Sequence, residues 1–384
     1  MTLSVRLGLY YAAIFGVIGI HLPFFPLWLK AQGFDAGQIG VILSAMFLLK
    51  IVTNPAVGGM VDRRGDRRRP LIFFSAASFV AFALYVFWRD FWSVLAITLL
   101  ATAVFAPVVP VSDNLTLLAI RARGLDYGRI RLWGSIAFIA TSMLGGRLVG
   151  LYPPDVVLLL ILCGLGLMAL SAVGLPDVRT EAAGRRGPPA WELLRSPIFL
   201  LFVGATSLNQ MSHSIYYGFA TIHWEAAGLP SWLIGGLWAE GVIAEVLLFA
   251  WSGKVVARVG PTRLILLACA AGVLRWAVMG MGTTLPALAA VQILHAMTFG
   301  CAHLGAMHFM QRAAPPSLSV RAQTLYTSLT MGIAPGLSML ISGQLYEAAG
   351  GLAFAVMAVL SLMGALLARL LVARWDGGVL PISR

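Results

Sequence analysis

Charge is scarce in this sequence. Of its 384 residues only 11% are Asp, Glu, Lys or Arg, while 59% are hydrophobic before its 41 glycines are counted. Soluble proteins carry about 25% charged residues and about 45–50% apolar ones with glycine included, and no soluble core of this length could hide the excess. That excludes a cytosolic enzyme and a disordered chain. Cysteine is almost missing too. Cys163, Cys269 and Cys301 lie inside apolar runs without metal-like spacing, which excludes a secreted disulfide scaffold and reads as three small buried hydrophobes. There is no H-E-x-x-H and no other nucleophile–base spacing, so neither an enzyme nor a cofactor is expected. His295, His303 and His308 share no i, i+4 face at 100° per residue, so no metal site is expected either. The first residues, MTLSVRLGLYYAAIFGVIGIHLPFFPLWL, have one Arg, no small-residue cleavage site and an apolar stretch too long for a signal peptide. They read as a retained first span.

What is present is apolar sequence in helix-length pieces. Runs bounded by charges or turn residues fall at about 6–29, 38–60, 71–88, 91–119, 131–150, 156–175, 197–223, 232–252, 263–281, 285–309, 323–345 and 351–373, and about 20 apolar residues suffice to cross a bilayer. Twelve crossings put both termini on one side. All 27 basic residues then fall on that side except Lys30, Arg89 and Arg147 opposite and Lys50 and Arg275 within spans. By the positive-inside rule the basic side is cytoplasmic. The net charge of +12 is therefore topology, and no nucleic-acid partner is expected. The expected class is an all-α membrane protein in a bacterial inner membrane, multi-pass, with both termini cytoplasmic.

The connection PDVRTEAAGRRGPPAWELLRSP is rich in Pro, Gly and charge, as a linker is. It divides the chain into a six-helix bundle at 1–176, a cytoplasmic linker at 177–196, a second six-helix bundle at 197–376 and a cytoplasmic tail at 377–384. The halves match at a constant offset of 195: Gly33 with Gly228, Ile39-Gly40 with Ile234-Gly235, Gly58 with Gly253, Arg63 with Arg258, Gly65 with Gly260 and Arg68 with Arg263. Such a gap-free match implies a duplicated architecture. Two bundles related by an axis along the membrane normal is a transporter arrangement, with substrate bound near mid-depth.

After the second span comes Gly58-Gly59-Met60-Val61-Asp62-Arg63-Arg64-Gly65-Asp66-Arg67-Arg68. This resembles the loop motif G-x-x-x-D-R-x-G-x-R-R of the major facilitator superfamily. Gly58 is expected to permit close helix approach, Gly65 to turn the chain, and Asp62 to hold basic side chains such as Arg63, Arg67 and Arg68 at the cytoplasmic gate. The second copy, Gly253, Arg258, Gly260, has Ala257 in place of the acid and is expected to be the weaker latch. The stretches HLPFFPLWLK, LDYGRIRLWGSIAF, LRWAVMG and QILHAMTFG resemble the phenylpropionate permease family and, more distantly, lactose permease. The fifth span has no Pro in GSIAFIATSMLGG, unlike the drug-antiporter signature, which favours uptake by symport over export.

Charges within spans each need a reason, because each costs about 2.5–3.5 kcal/mol or more at bilayer depth. They are Lys50, Asp113, Glu240, Glu245 and Arg275. Asp113 follows a Pro107/Pro110 break that suggests a cavity-lining stretch. By resemblance to lactose permease, Asp113 and Arg131 match a substrate-holding pair and Phe138 an aromatic that stacks on the ligand. Arg275 and His295 match residues of proton coupling. The acid that carries the proton there falls on Thr298, a salt-bridge pair becomes His213 and Gln292, and a third carboxylate position holds Val242. Glu245 lies three residues on, within one helical face of that position, whereas Glu240 is about 160° away. Glu245 is therefore the expected proton carrier with Arg275 and His295 as partners, and Glu240 stands second. Tyr216 and Tyr217, like Tyr10, Tyr11, Phe24 and Phe25, sit mid-run and suit a planar ligand.

The expected function is secondary active import of a small organic solute with protons, by alternating access and as a monomer. The resemblance implies an aromatic carboxylate such as 3-phenylpropionate, held by Arg131, Arg275 or Lys50. A sugar or nucleoside is the second reading, and a non-transporting membrane sensor the reading from another class.

Overall fold

The computed structural model describes residues 2–121, 125–178, 190–315 and 318–380. Residues 179–189 of the expected linker and 381–384 of the expected tail lie outside the described residues. Among the described residues there is no strand. The apolar runs are helices, because in a bilayer backbone polar groups must be satisfied within the segment itself.

The first compact unit gathers α1 (Leu3–Ala31), α2 (Ala36–Arg64), α3 (Arg68–Ala83), α4 (Phe91–Phe105), α5 (Val108–Arg121), α6 (Tyr127–Leu151) and α7 (Val156–Val173), together with Trp224–Ala239. The second runs from α8 (Pro197–Met211) through the start of α9 (Ser214–Ala226) as far as His223. It resumes at Glu240 in α10 (Ser231–Ala250) and continues with α11 (Ser252–Val259), α12 (Pro261–Met281), α13 (Leu285–Gln292), α14 (Ala302–Ala313), α15 (Ser319–Tyr326), α16 (Ala334–Ala349) and α17 (Ala353–Arg374).

Among the described residues ten helical stretches are long and apolar enough to cross a membrane, and Arg321–Arg374 covers the last two expected spans in one stretch. The seventh expected span is the one not among them, because it breaks at Ser212-His213 into α8 and α9. No Pro or Gly marks that break. Its freed carbonyls are taken by side chains: Ser212 Oγ donates to Asn209 O at 2.7 Å, the His213 Nδ1 lies 2.8 Å from the same oxygen, and Ser338 Oγ donates to Met211 O at 3.2 Å. Two π-helical turns, Ala296–Cys301 and Thr327–Ile333, interrupt the tenth and eleventh spans.

Helix ends follow local chemistry. Asp35 caps α2 in a reciprocal capping box with Gln38, and Asp90 and Asp126 cap α4 and α6. The duplication appears in the backbone. Gly33 and Gly228 have φ of 92° and 85°, and Gly65 and Gly260 of 67° and 82°, all in the left-handed region where a Cβ is disfavoured. The sequence offset thus returns as two matched pairs of turns. Cys163 departs from expectation, since it is exposed on α7 while Cys269 and Cys301 are buried.

On the non-cytoplasmic side of the expected topology, the first unit is clamped by Asp155. Its Oδ1 accepts from Arg89 Nη1 at 2.7 Å and from Trp28 Nε1 at 3.0 Å, while the same Arg89 nitrogen donates to Gln32 Oε1 at 2.7 Å. Hydrogen bonding from Arg89 holds the Asp155 carboxyl below its ordinary value, with the indole acting in the same direction and partial burial opposing. A depressed carboxylate stabilises the fold above its unfolded value near pH 4 and loses that contribution as pH falls through its lower folded value. Because the pair is part-exposed, Asp155→Asn is expected to cost about 0.5–1 kcal/mol at neutral pH. Thermal unfolding across a pH series will show the gap to the parent protein closing below about pH 4.

Candidate functional site

Two polar clusters stand out, one in each unit. In the first, the kink at Ala106-Pro107 between α4 and α5 precedes half-buried Asp113. Tyr11 of α1 donates its hydroxyl to Asp113 Oδ1 at 2.6 Å, and Tyr127 of α6 donates to the same oxygen at 2.8 Å. The other carboxylate oxygen accepts no hydrogen bond from a described residue. Arg131, one turn beyond Tyr127, places its guanidinium carbon 3.6 Å from the Phe15 ring centre and 5.7 Å from that of Tyr11.

Asp113 and Arg131 therefore share Tyr11 without forming a direct ion pair, since no salt bridge within 4.0 Å joins them. Two phenols satisfy the carboxylate, and the cation rests on aromatic faces. Arg131 itself makes no hydrogen bond or ion pair to any described residue. Phe138, two turns further along α6, is buried at 6% exposure, with its backbone against Gly19 of α1. Lys50 lies apart from this cluster, with its Nζ 5.1 Å from the Phe47 ring centre.

In the loop motif after α2 most of the side-chain contacts come from Arg67. Arg67 is buried, and its Nε donates to Asn114 Oδ1 at 2.9 Å, its Nη1 to Gly65 O at 2.9 Å and its Nη2 to Asp62 Oδ1 at 3.3 Å. Arg68 donates to Val173 O at 2.8 Å, close to the negative end of the α7 dipole. Arg63 instead folds back on Gly59 O at 3.0 Å. Gly58 does not serve close helix approach here, nor does Gly253, because a Cβ on either would meet nothing within 4 Å. Asn114 was not singled out in the sequence, although it directly follows Asp113 and ties the latch to the helix bearing that carboxylate.

The second cluster centres on Arg275, whose side chain is fully buried. Its Nη1 donates to Thr298 Oγ1 at 3.0 Å and lies 3.2 Å from His295 Nδ1, and its Nη2 donates to Gln292 Oε1 at 2.7 Å. The rings of Tyr216 and Trp276 flank the guanidinium carbon at 4.5 and 4.6 Å. No carboxylate of a described residue lies within 4.0 Å of it, so neutral acceptors and ring faces surround the buried charge. Gln292 in turn donates to Tyr216 Oη at 3.0 Å.

Proton placement follows from the donors. Arginine only donates, so His295 Nδ1 accepts and a neutral His295 carries its proton on Nε2, which faces Glu245 Oε2 at 3.5 Å. Thr298 accepts from Arg275, and its own hydroxyl proton is shared between His213 Nε2 at 3.2 Å and the His295 carbonyl at 3.4 Å, while His213 Nδ1 points at the Asn209 carbonyl. Thr298, His213 and Gln292 are thus the neutral links of one network. Glu245 packs over Gly300 of the first π-helical turn, and π turns of this kind often accompany function. Glu240 takes no hydrogen bond from a described residue and stays outside the network. Tyr217 stacks on His213 with ring centres 5.6 Å apart. Among the described residues no group of three His, Cys, Asp or Glu could hold a metal ion.

Comparison with known proteins agrees with this architecture. Residues 4–356 match the model of the MFS_1 like family. The chain is 34% identical over 366 residues to the "Probable 3-phenylpropionic acid transporter" of Escherichia coli (strain K12), covering 93% of this chain and 94% of that protein. It is 26% identical to the maltose permease of Geobacillus stearothermophilus, over 88% of this chain and 86% of that one. In fold it is similar to the crystal structure of the nucleoside transporter NupG, with a TM-score of 0.83 at 17% identity over 98% of this chain and 100% of that one.

Proposed function

Since the chain belongs to the MFS_1 like family and is a major facilitator transporter, we propose that it imports an aryl carboxylate of the 3-phenylpropionate type together with protons. The observation that carries this reading is Arg131. It is a half-buried guanidinium with no ion pair or hydrogen-bond acceptor among the described residues, seated on Phe15 and beside Tyr11. A guanidinium binds a carboxylate through two parallel hydrogen bonds, and the neighbouring rings offer faces to the aryl group. Asp113 makes no ion pair with Arg131 and takes its hydrogen bonds from two tyrosine hydroxyls instead. The similarity to a protein named for 3-phenylpropionic acid supports the same class.

Glu245 is the proposed proton carrier, with His295 as its immediate partner and Arg275 as the group that fixes the His295 tautomer. Asp113, Phe138, Lys50, Tyr216 and Tyr217 remain proposed contacts of the solute, and Glu240 an auxiliary acid. The membrane is proposed to be the bacterial inner membrane, with both termini cytoplasmic and a single chain as the working unit. A second reading, import of a sugar or nucleoside, is favoured by the open Asp113 oxygen, which could accept from a ligand hydroxyl.

Proteoliposome uptake separates the two. An inward proton gradient is expected to drive accumulation of 3-phenylpropionate, and Arg131→Gln to raise its half-saturation concentration by about tenfold or more, the size of a lost charged hydrogen-bond pair. Accumulation of a sugar or nucleoside, with every aryl acid indifferent to the gradient, would overturn the proposal.

A further inference from the structure

We propose that the groove beside Arg147 binds one anionic phospholipid, with its phosphate on the Arg147 guanidinium and an acyl chain along Met143, Leu144 and Trp232. Arg147 is one of three basic residues opposite the cytoplasmic set, and the clamp on Asp155 accounts for Arg89. Arg147 is exposed on α6 and has no hydrogen bond or ion pair with any described residue. It opens onto a groove of about 920 Å³ between the last turns of α6 and the chain entering α10, and no acidic residue lines it.

The depth of the groove selects the ligand. Arg147 lies four residues, about 6 Å along the axis, before the end of α6, where Tyr152 follows. Trp232 is the second residue of α10. Tyrosine and tryptophan at helix ends mark the headgroup level of a bilayer, so the guanidinium reaches the height of lipid phosphates. Met143 and Leu144 lie three to four residues deeper, at 52% and 55% exposure, and Trp232 is 60% exposed. A free anion would gain nothing from such a wall, whereas an acyl chain would cover it. Gly146 and Ser231, which line the groove, also meet at the crossing of α6 and α10, so the lipid would lie beside that seam.

The test is native mass spectrometry of the purified full chain, titrated with dioleoyl phosphatidylglycerol, with dioleoyl phosphatidylcholine, and with phosphatidylglycerol plus inorganic phosphate. One phosphatidylglycerol is expected to be retained, with occupancy falling about fivefold in Arg147→Gln, the general worth of one basic residue at a lipid surface. Lys30→Gln, which removes the same charge from the same side, is expected to leave occupancy unchanged. Equal retention by Arg147→Gln and the parent would overturn the site. So would equal retention of the two lipids by the parent protein, a comparison that stands even if the variant fails to fold. Displacement by inorganic phosphate would assign the site to free anions instead.

Discussion

Glu245→Gln is expected to abolish uptake driven by a proton gradient while leaving exchange of external for internal solute intact. The side chain keeps its shape, and its amide oxygen still faces His295 Nε2, where the carboxylate now stands at 3.5 Å. What it loses is the ability to bind and release a proton. In the ionised form the contact is charge-assisted, and on protonation it falls to a neutral bond of roughly half the strength. Gradient-driven uptake is expected to fall by about a hundredfold or more, the usual consequence of removing a working acid–base group, and Glu240→Gln to have a much smaller effect because Glu240 accepts no hydrogen bond from a described residue. Counterflow of labelled 3-phenylpropionate measures exchange without net proton movement. Loss of counterflow together with uptake would assign Glu245 to binding or folding and remove it as the carrier.

The spans were legible because a bilayer allows few alternatives. Apolar runs of helix length, and the separation of nearly every arginine from Lys30, Arg89 and Arg147, suffice to place them. The duplication was legible in the same way, and the turns at Gly33, Gly65, Gly228 and Gly260 carry it into the backbone. The break at Ser212-His213 was not, because it depends on Ser338, more than a hundred residues away, to satisfy a carbonyl. Hydropathy also cannot see the π turn at Ala296–Cys301, which gives Glu245 a glycine face at Gly300.

In the site, the partnership of Glu245, His295 and Arg275 followed from one helical face and a family resemblance. The tyrosines that hold Asp113 did not. Tyr11 and Tyr127 stand 102 and 14 residues from it, and a tyrosine in an apolar run has no pattern that separates a membrane anchor from a hydrogen-bond donor. For the same reason the resemblance that groups Arg131 with Asp113 gives no sign of Phe15, whose ring the Arg131 guanidinium covers.

Gly235→Ala is expected to impair both stability and transport, whereas Gly236→Ala, its neighbour, is expected to do neither. A Cβ at Gly235 would overlap the carbonyl oxygen of Ser142 and crowd the Cα of Gly146, while a Cβ at Gly236 would meet nothing within 4 Å. The obstruction at Gly235 is backbone, which cannot rotate away as a flexible side-chain tip can. Small residues let membrane helices meet backbone to backbone, and here Ser142 and Gly146 of α6 meet Ser231 and Gly235 of α10. Forcing a methyl group into such a contact costs about 1–3 kcal/mol. If the crossing forms in only part of the transport cycle, the same energy shifts the population of that state by about 5–150-fold. Gly146→Ala meets the carbonyl of Ser231 on the same seam, so the double variant is expected to cost less than the two single effects added together. Thermal unfolding and uptake on the two single glycine variants and the double provide the measurement. If Gly235→Ala melts and transports like the parent, the seam is not a fixed contact of the working protein. If Gly236→Ala is equally impaired, helix propensity and not the crossing accounts for the loss.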